Sequence, residues 1–171
     1  MRIYFLLSVV LGFAFVSSAQ QANPPDAKSS DQTASKQASG HAYSGMYTFL
    51  KEGEFVQVTV EDEGHVTGFI SRYGNGDSDK GEFLNQFFKT GKLEGDKLNF
   101  TTEIVHGVSF DFKGNVERGE GKNPGDESYF VLRGILTENA SDANKKTTSH
   151  SRDVLFKLFP QEATPSATMR K

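Results

Sequence analysis

Between residues 44 and 160, short runs rich in Val, Ile, Phe, Tyr and Thr alternate apolar with polar side chains, and glycine-bearing turns separate them. No other feature limits the possible folds as strongly. Val56, Val58 and Val60 fall on one side of a run, while Gln57, Thr59 and Glu61 fall on the other. Val108, Phe110 and Phe112 oppose Ser109, Asp111 and Lys113 in the same way. Period-two alternation is the signature of a strand with one dry face and one wet face. Eight runs read as strands: 45–51, 54–62, 65–73, 86–94, 97–105, 108–118, 128–138 and 151–159. Glu52-Gly53, Glu63-Gly64, Gly95-Asp96 and His106-Gly107 fit tight turns, in which glycine supplies the positive φ. Gaps this short join antiparallel neighbours, because a parallel crossover needs about a dozen residues or more. The expected fold is all-β: a single antiparallel up-and-down (meander) β-barrel of about eight strands, closed so that few edges are exposed.

One stretch supports two readings. Phe83, Leu84, Phe87 and Phe88 recur at helical spacing, so 79–88 is either one short helix or an extension of the fourth strand. The polar stretch 141–151 reads as a long loop between the last two strands.

The chain has 171 residues. Residues 1–19 carry Arg2, then an apolar run from Ile3 to Val16, then Ser17-Ser18-Ala19, the three-part pattern of a cleaved export signal. The run is shorter than the roughly 20 residues of a spanning helix. The expected location is therefore secreted or periplasmic, with no membrane span after signal cleavage. Residues 20–43 and 161–171 lack the apolar content to offset the entropy of ordering, and read as a flexible leader and tail around a barrel domain at 44–160. With 19 Lys and Arg against 22 Asp and Glu, the formal charge is -3, which argues against nucleic acid as a partner. The absence of cysteine excludes disulfides, thiolate catalysis and Cys-based zinc sites.

Three segments resemble the avidin and streptavidin family: Gly45-Met46-Tyr47, then Gly53, then Gly64-His65-Val66-Thr67-Gly68. Thr90-Gly91-Lys92-Leu93 is similar to that family's fourth strand. The resemblance implies a calycin-type barrel with Tyr47, Phe49, Val56, Val58, Val60, Val66, Gly68 and Ile70 facing inward, and makes an oligomer a reasonable expectation. It does not extend to biotin. Where avidins hold biotin with an amide, a serine, a tyrosine and a second serine, this chain has Phe49, Glu54, Ile70 and Arg72, and it has no tryptophan. Lost partners for buried polar groups cost about 1–3 kcal/mol each.

By alternation the inward set continues with Phe88, Phe100, Ile104, Phe110, Phe112, Val131, Ile135, Val154, Phe156 and Leu158. These side chains either fill the bore or line an apolar pocket. The leading functional expectation is a non-enzymatic interaction protein that contacts an unidentified protein through loops or an outer aromatic patch of Phe55, Phe69 and Phe130. The alternative is a carrier of a small apolar ligand, lined by Tyr47, Ile70, Phe100 and Phe110 with Arg72 or Arg133 near the rim. No cofactor, no metal and no catalytic set is expected. Asn75, Asp77 and Asp79 are spaced as in calcium loops, yet the glycine falls one place late and Gln86 stands where a glutamate belongs, so a solvated turn is the simpler reading. Residues 74–81 would form the lid of a pocket, and Glu103 and His106 could meet across a strand end.

Overall fold

The structure, a computed structural model, describes residues 40–76, 79–142 and 144–161. The expected export signal, most of the leader and nearly all of the tail lie outside these residues. Eight strands follow one another: β1 (Gly45–Thr48), β2 (Phe55–Val60), β3 (Val66–Tyr73), β4 (Phe83–Glu94), β5 (Lys97–Thr102), β6 (Val108–Arg118), β7 (Phe130–Ser141) and β8 (Thr147–Lys157). Each pairs antiparallel with the next, in the order β1 to β8. The last strand returns to the first. Tyr47 bridges Leu158, Phe159 N donates to Met46 O at 2.8 Å, and Lys157 N donates to Thr48 Oγ1 at 2.9 Å. The fold is the expected all-β meander barrel, with its closing seam confined to the lower end because β1 is so short.

Turn glycines behave as anticipated. Gly53, Gly64, Gly95 and Gly107 all have positive φ, between 68° and 83°. A different constraint acts at Gly91, where a Cβ would lie 2.2 Å from the Val66 carbonyl oxygen, so β3 and β4 can approach only over a bare backbone.

The inner face holds one core, including Tyr47, Val56, Val58, Val60, Ile70, Leu98, Phe100, Phe112, Leu132, Leu136 and Phe156. Phenylalanine rings form a continuous column through it. Phe88 stacks on Phe100 at 4.2 Å, Phe100 on Phe112 at 5.2 Å, and Phe112 meets Phe156 at 5.9 Å. Phe156 then meets Phe49 at 5.2 Å, and Phe49 meets Phe110 edge-on at 5.5 Å. These contacts join strands that share no hydrogen bonds, such as β6 and β8. The foot of the barrel is plugged by the segment before β1: Tyr47 Oη donates to Tyr43 O at 2.6 Å, and Val60 N donates to Ser44 Oγ at 2.9 Å. Burial pushes the Tyr47 phenol above its ordinary pKa.

Four sequence expectations are corrected. The stretch 79–88 contains no helix, because β4 begins at Phe83. A spacing of four residues returns to the same face of a strand as well as of a helix, so Phe83 and Phe87 share the outer face and Leu84 and Phe88 the inner one. Val131 and Ile135 do not face the core; Leu132 and Leu136 do, and Ile135 is exposed. The doublets Val131-Leu132 and Ile135-Leu136 put an apolar residue on each face, which left alternation without a phase. Ile104 lies beyond the end of β5 and is 70% exposed. Finally, most of 141–151 is not loop. It forms the top of a long β7–β8 hairpin, held by Ser141–Thr147, Asn139–Ser149 and Thr137–Ser151 side-chain bonds of 2.6–2.9 Å.

If the ring column carries the core, Phe100→Ala should cost about 3–5 kcal/mol. Ile104→Ala should stay within about 0.5 kcal/mol of wild type. Urea unfolding of both variants measures this, and comparable losses would refute the inner-face assignment.

Candidate functional site

Strands β1, β3, β5 and β7 run towards one end of the barrel, so the connections after each of them surround a single upper mouth. The inner parity of β3, through Val66, Gly68 and Ile70, ends on Arg72. The same parity brings Gln86 inward on β4, Thr102 on β5, Phe110 on β6 and Glu138 on β7. A polar cluster therefore caps the apolar column.

Gln86 is fully buried and organises the cluster. Its Nε2 lies 2.6 Å from Val108 O, 2.8 Å from Glu103 O and 3.1 Å from Thr102 Oγ1. Thr102 Oγ1 accepts from Phe110 N at 2.9 Å, while Gln86 Oε1 accepts from Arg72 Nε at 3.0 Å. Arg72 is only 3% exposed. Its Nη1 donates to Tyr73 O at 3.2 Å, and its guanidinium carbon sits 5.5 Å from the Phe110 ring centre. Nη2 is enclosed and, among the described residues, has no hydrogen-bond partner. Such an orphan costs about 1–3 kcal/mol, so a buried donor left this way calls for an explanation. Burial lowers the Arg72 pKa from its ordinary value, and nearby Asp79, Glu138 and Glu54 oppose that shift.

Each of those carboxylates has other partners. Glu54 accepts from Tyr73 N at 3.0 Å and from Lys51 N at 3.1 Å, tying the β1–β2 turn to the end of β3. Glu138 pairs with Arg152 Nη2 at 3.0 Å on the half-exposed side of the mouth, where β8 outruns β1. Asp79, in the β3–β4 connection, meets His106 Nδ1 at 2.7 Å and accepts from Gly76 N at 2.7 Å. The His106 hydrogen bond above all holds the Asp79 carboxyl below the usual carboxylate range. This bond ties the expected lid segment to the β5–β6 turn. His106 thus meets Asp79 rather than Glu103. Asn75 accepts from Lys51 Nζ at 3.1 Å, so two of the three oxygen side chains of the calcium-like spacing are engaged within the protein, and Asp77 lies outside the described residues.

Of the six residues expected to line a ligand site, the structure brings Arg72 and Phe110 together at the mouth. Ile70 is buried just beneath, Phe100 sits mid-column, and Tyr47 directs its hydroxyl to the opposite end. Arg133 is elsewhere: it stands on the outer face of β7, paired with Glu117 at 3.0 Å. It shares its parity with Ile135, and the same ambiguous doublets misplaced both. Gln86, Thr102 and Glu138 were not among the expected lining residues, and Asp79 stood out only through its calcium-like spacing and its place in the expected lid. Their signal was a polar residue at an inward position, as in Leu84-Asn85-Gln86-Phe87-Phe88.

A second feature lies outside. Phe55, Phe69, Tyr73, Phe83 and Phe87 form a ladder of rings across β2, β3 and β4, with centres 5.1–6.3 Å apart. Tyr73, Phe83 and Phe87 are exposed. Phe130, expected in this patch, instead packs at the foot between Tyr43 and Tyr129, beside Arg118.

No family model matches the sequence, and no curated protein matches it significantly. The structure does have solved neighbours. The crystal structure of rhizavidin superposes with a TM-score of 0.54 at 12% identity, covering 76% of this chain and 92% of the other. Intact apo afifavidin gives 0.51 at 13% identity, covering 78% and 97%. A rhizavidin–biotin complex gives 0.50 at 12% identity, covering 67% and 98%. The fold is avidin-like. Within this avidin-like barrel, Phe49 packs edge-on against Phe110, and the Glu54 carboxylate is used by backbone amides. Phe49 and Glu54 are thus built into the packing of the mouth.

The Asp79–His106 tie makes a pH prediction. A carboxyl with a lowered folded-state pKa contributes stability above its unfolded pKa and loses it as pH falls through the folded value. Asp79→Asn should therefore melt below wild type at neutral pH, and the gap should close as pH falls through the lowered Asp79 value, below the ordinary carboxylate range. Thermal melts of both proteins across pH test this; a gap unchanged in acid would show that the charge does not matter.

Proposed function

We propose that this chain is an exported, non-enzymatic binding protein that holds a small molecule in the upper mouth of its barrel. The observation that carries this reading is the buried Arg72 guanidinium, fixed by Gln86 and Tyr73 and left with one donor unsatisfied directly above an apolar, aromatic interior. The end of such a barrel offers a concave and largely apolar site to a ligand, and a few polar groups set its orientation. His106 and Asp79 form an imidazole–carboxylate pair, but among the described residues no serine or threonine hydroxyl hydrogen-bonds to His106, so the pair acts here as a loop fastening. The solved neighbour containing biotin supports a ligand in a barrel of this shape; the side chains of this mouth do not support biotin itself.

A ligand that binds only the folded protein raises its melting temperature, by an amount equivalent to about 2.7 kcal/mol at a hundredfold excess over Kd. Screening a diverse small-molecule library by thermal shift should yield compounds whose effect is lost in Phe110→Ala. A complete absence of stabilising compounds would defeat the reading.

The outer ladder favours a second reading, an interaction face for a protein partner. Exposed contiguous aromatic patches on a monomer commonly mark such faces. Phe83→Ser with Phe87→Ser should leave stability within about 1 kcal/mol of wild type. The same pair of changes should remove any self-association or partner binding seen by light scattering. Unchanged association would dismiss the patch.

A further inference from the structure

Resting on the small-ligand reading above, we infer that the mouth selects its ligand by an uncharged carbonyl oxygen, delivered to Arg72 Nη2, on a compound whose remaining body is apolar. Amides, ketones and esters meet that description; carboxylates, phosphates and amines do not.

The first step is the geometry of the donor. Three features fix the guanidinium plane: Nε on Gln86 Oε1, Nη1 on Tyr73 O, and the Phe110 ring alongside. Gln86 cannot swing away, because its own amide is held by Val108 O and Glu103 O. Nη2 is therefore a preorganised donor in a buried position, and only an acceptor can satisfy it. A ligand amine has no acceptor of the right kind when protonated, and it would meet the arginine charge.

The second step is the charge already present. Asp79, Glu54 and Glu138 surround Arg72, and Arg152 is paired with Glu138. An incoming anion would meet those three carboxylates and would lose its hydration on entry. A neutral carbonyl supplies the missing acceptor without either cost. Phe110, beside the guanidinium, and Phe49, which joins it to Phe156, form the apolar wall for the rest of the molecule. The approach lies past the half-exposed Glu138–Arg152 pair, on the side where the upper part of β8 has no β1 beside it.

A matched set of aromatic probes tests this on the intact chain: benzamide and acetophenone as neutral carbonyls, benzoate as the anion, and toluene as the body without an acceptor. Affinities come from thermal shift and from NMR titration of the Arg72 Nε–Hε resonance. Benzamide and acetophenone should bind about tenfold or more tightly than benzoate and toluene, and should move the Arg72 resonance. In Arg72→Met the carbonyl preference should vanish while toluene binding persists. Should that variant not fold, the wild-type ranking and the Arg72 resonance decide alone. Benzoate or toluene binding as tightly as benzamide would overturn the carbonyl assignment and leave the ligand-binding reading in place. Failure of all four probes to bind would overturn both.

Discussion

A column of phenylalanine rings closes a barrel that hydrogen bonding closes only weakly. The seam between β1 and β8 rests on one bridge and two flanking bonds at the lower end. Everything above it is held across the interior, where Phe88, Phe100, Phe112, Phe156, Phe49 and Phe110 touch in succession. Aromatic pairs of this kind add about 0.5–1.5 kcal/mol beyond the area they bury. The column also determines the chemistry of the mouth. By ending on Phe110 it places an apolar surface beside Arg72, so the guanidinium must be held by neighbouring amides and carbonyls rather than by bulk water.

The strands were legible because β-branched and aromatic runs, some in plain alternation, are separated by turn glycines. Val56, Val58 and Val60 needed nothing beyond the period of two. Where apolar residues came in adjacent pairs, as at Val131-Leu132 and Ile135-Leu136, both faces had a claim. Only the cross-strand partners, Val116 for Leu132 and Phe112 for Leu136, decide between them. The upper part of β8 was illegible for the opposite reason. Its Thr147-Thr148-Ser149-His150-Ser151 sequence is polar on both faces, and its strand character comes from hydroxyl pairing with β7 that no local pattern records.

The mouth was half legible. Arg72 and Phe110 followed from parity, and their meeting needed only the fold. Gln86 and Thr102 did not stand out as lining residues because each is an ordinary polar residue until three-dimensional neighbours bury it, and Asp79 stood out only for a calcium-like spacing and the expected lid. Gln86 lies on the dry face of β4, 14 residues from Arg72 in the chain and 22 from Val108. Asp79 and His106 are 27 residues apart and meet only because the β3–β4 and β5–β6 connections share one end. Such pairs belong to the topology rather than to any segment.

The long hairpin that rises past β1 leaves the upper margin of β8 without a strand beside it. A bare margin of this kind usually recruits another chain and begins a fibril. Here the segment carries Thr, Ser, His and Arg, with no hydrophobic side chain between Thr147 and Asp153 that a docking strand could cover. Hydrated hydroxyls on both surfaces make such stacking unrewarding. The barrel can thus keep one wall open beside its mouth without offering a further strand an apolar template.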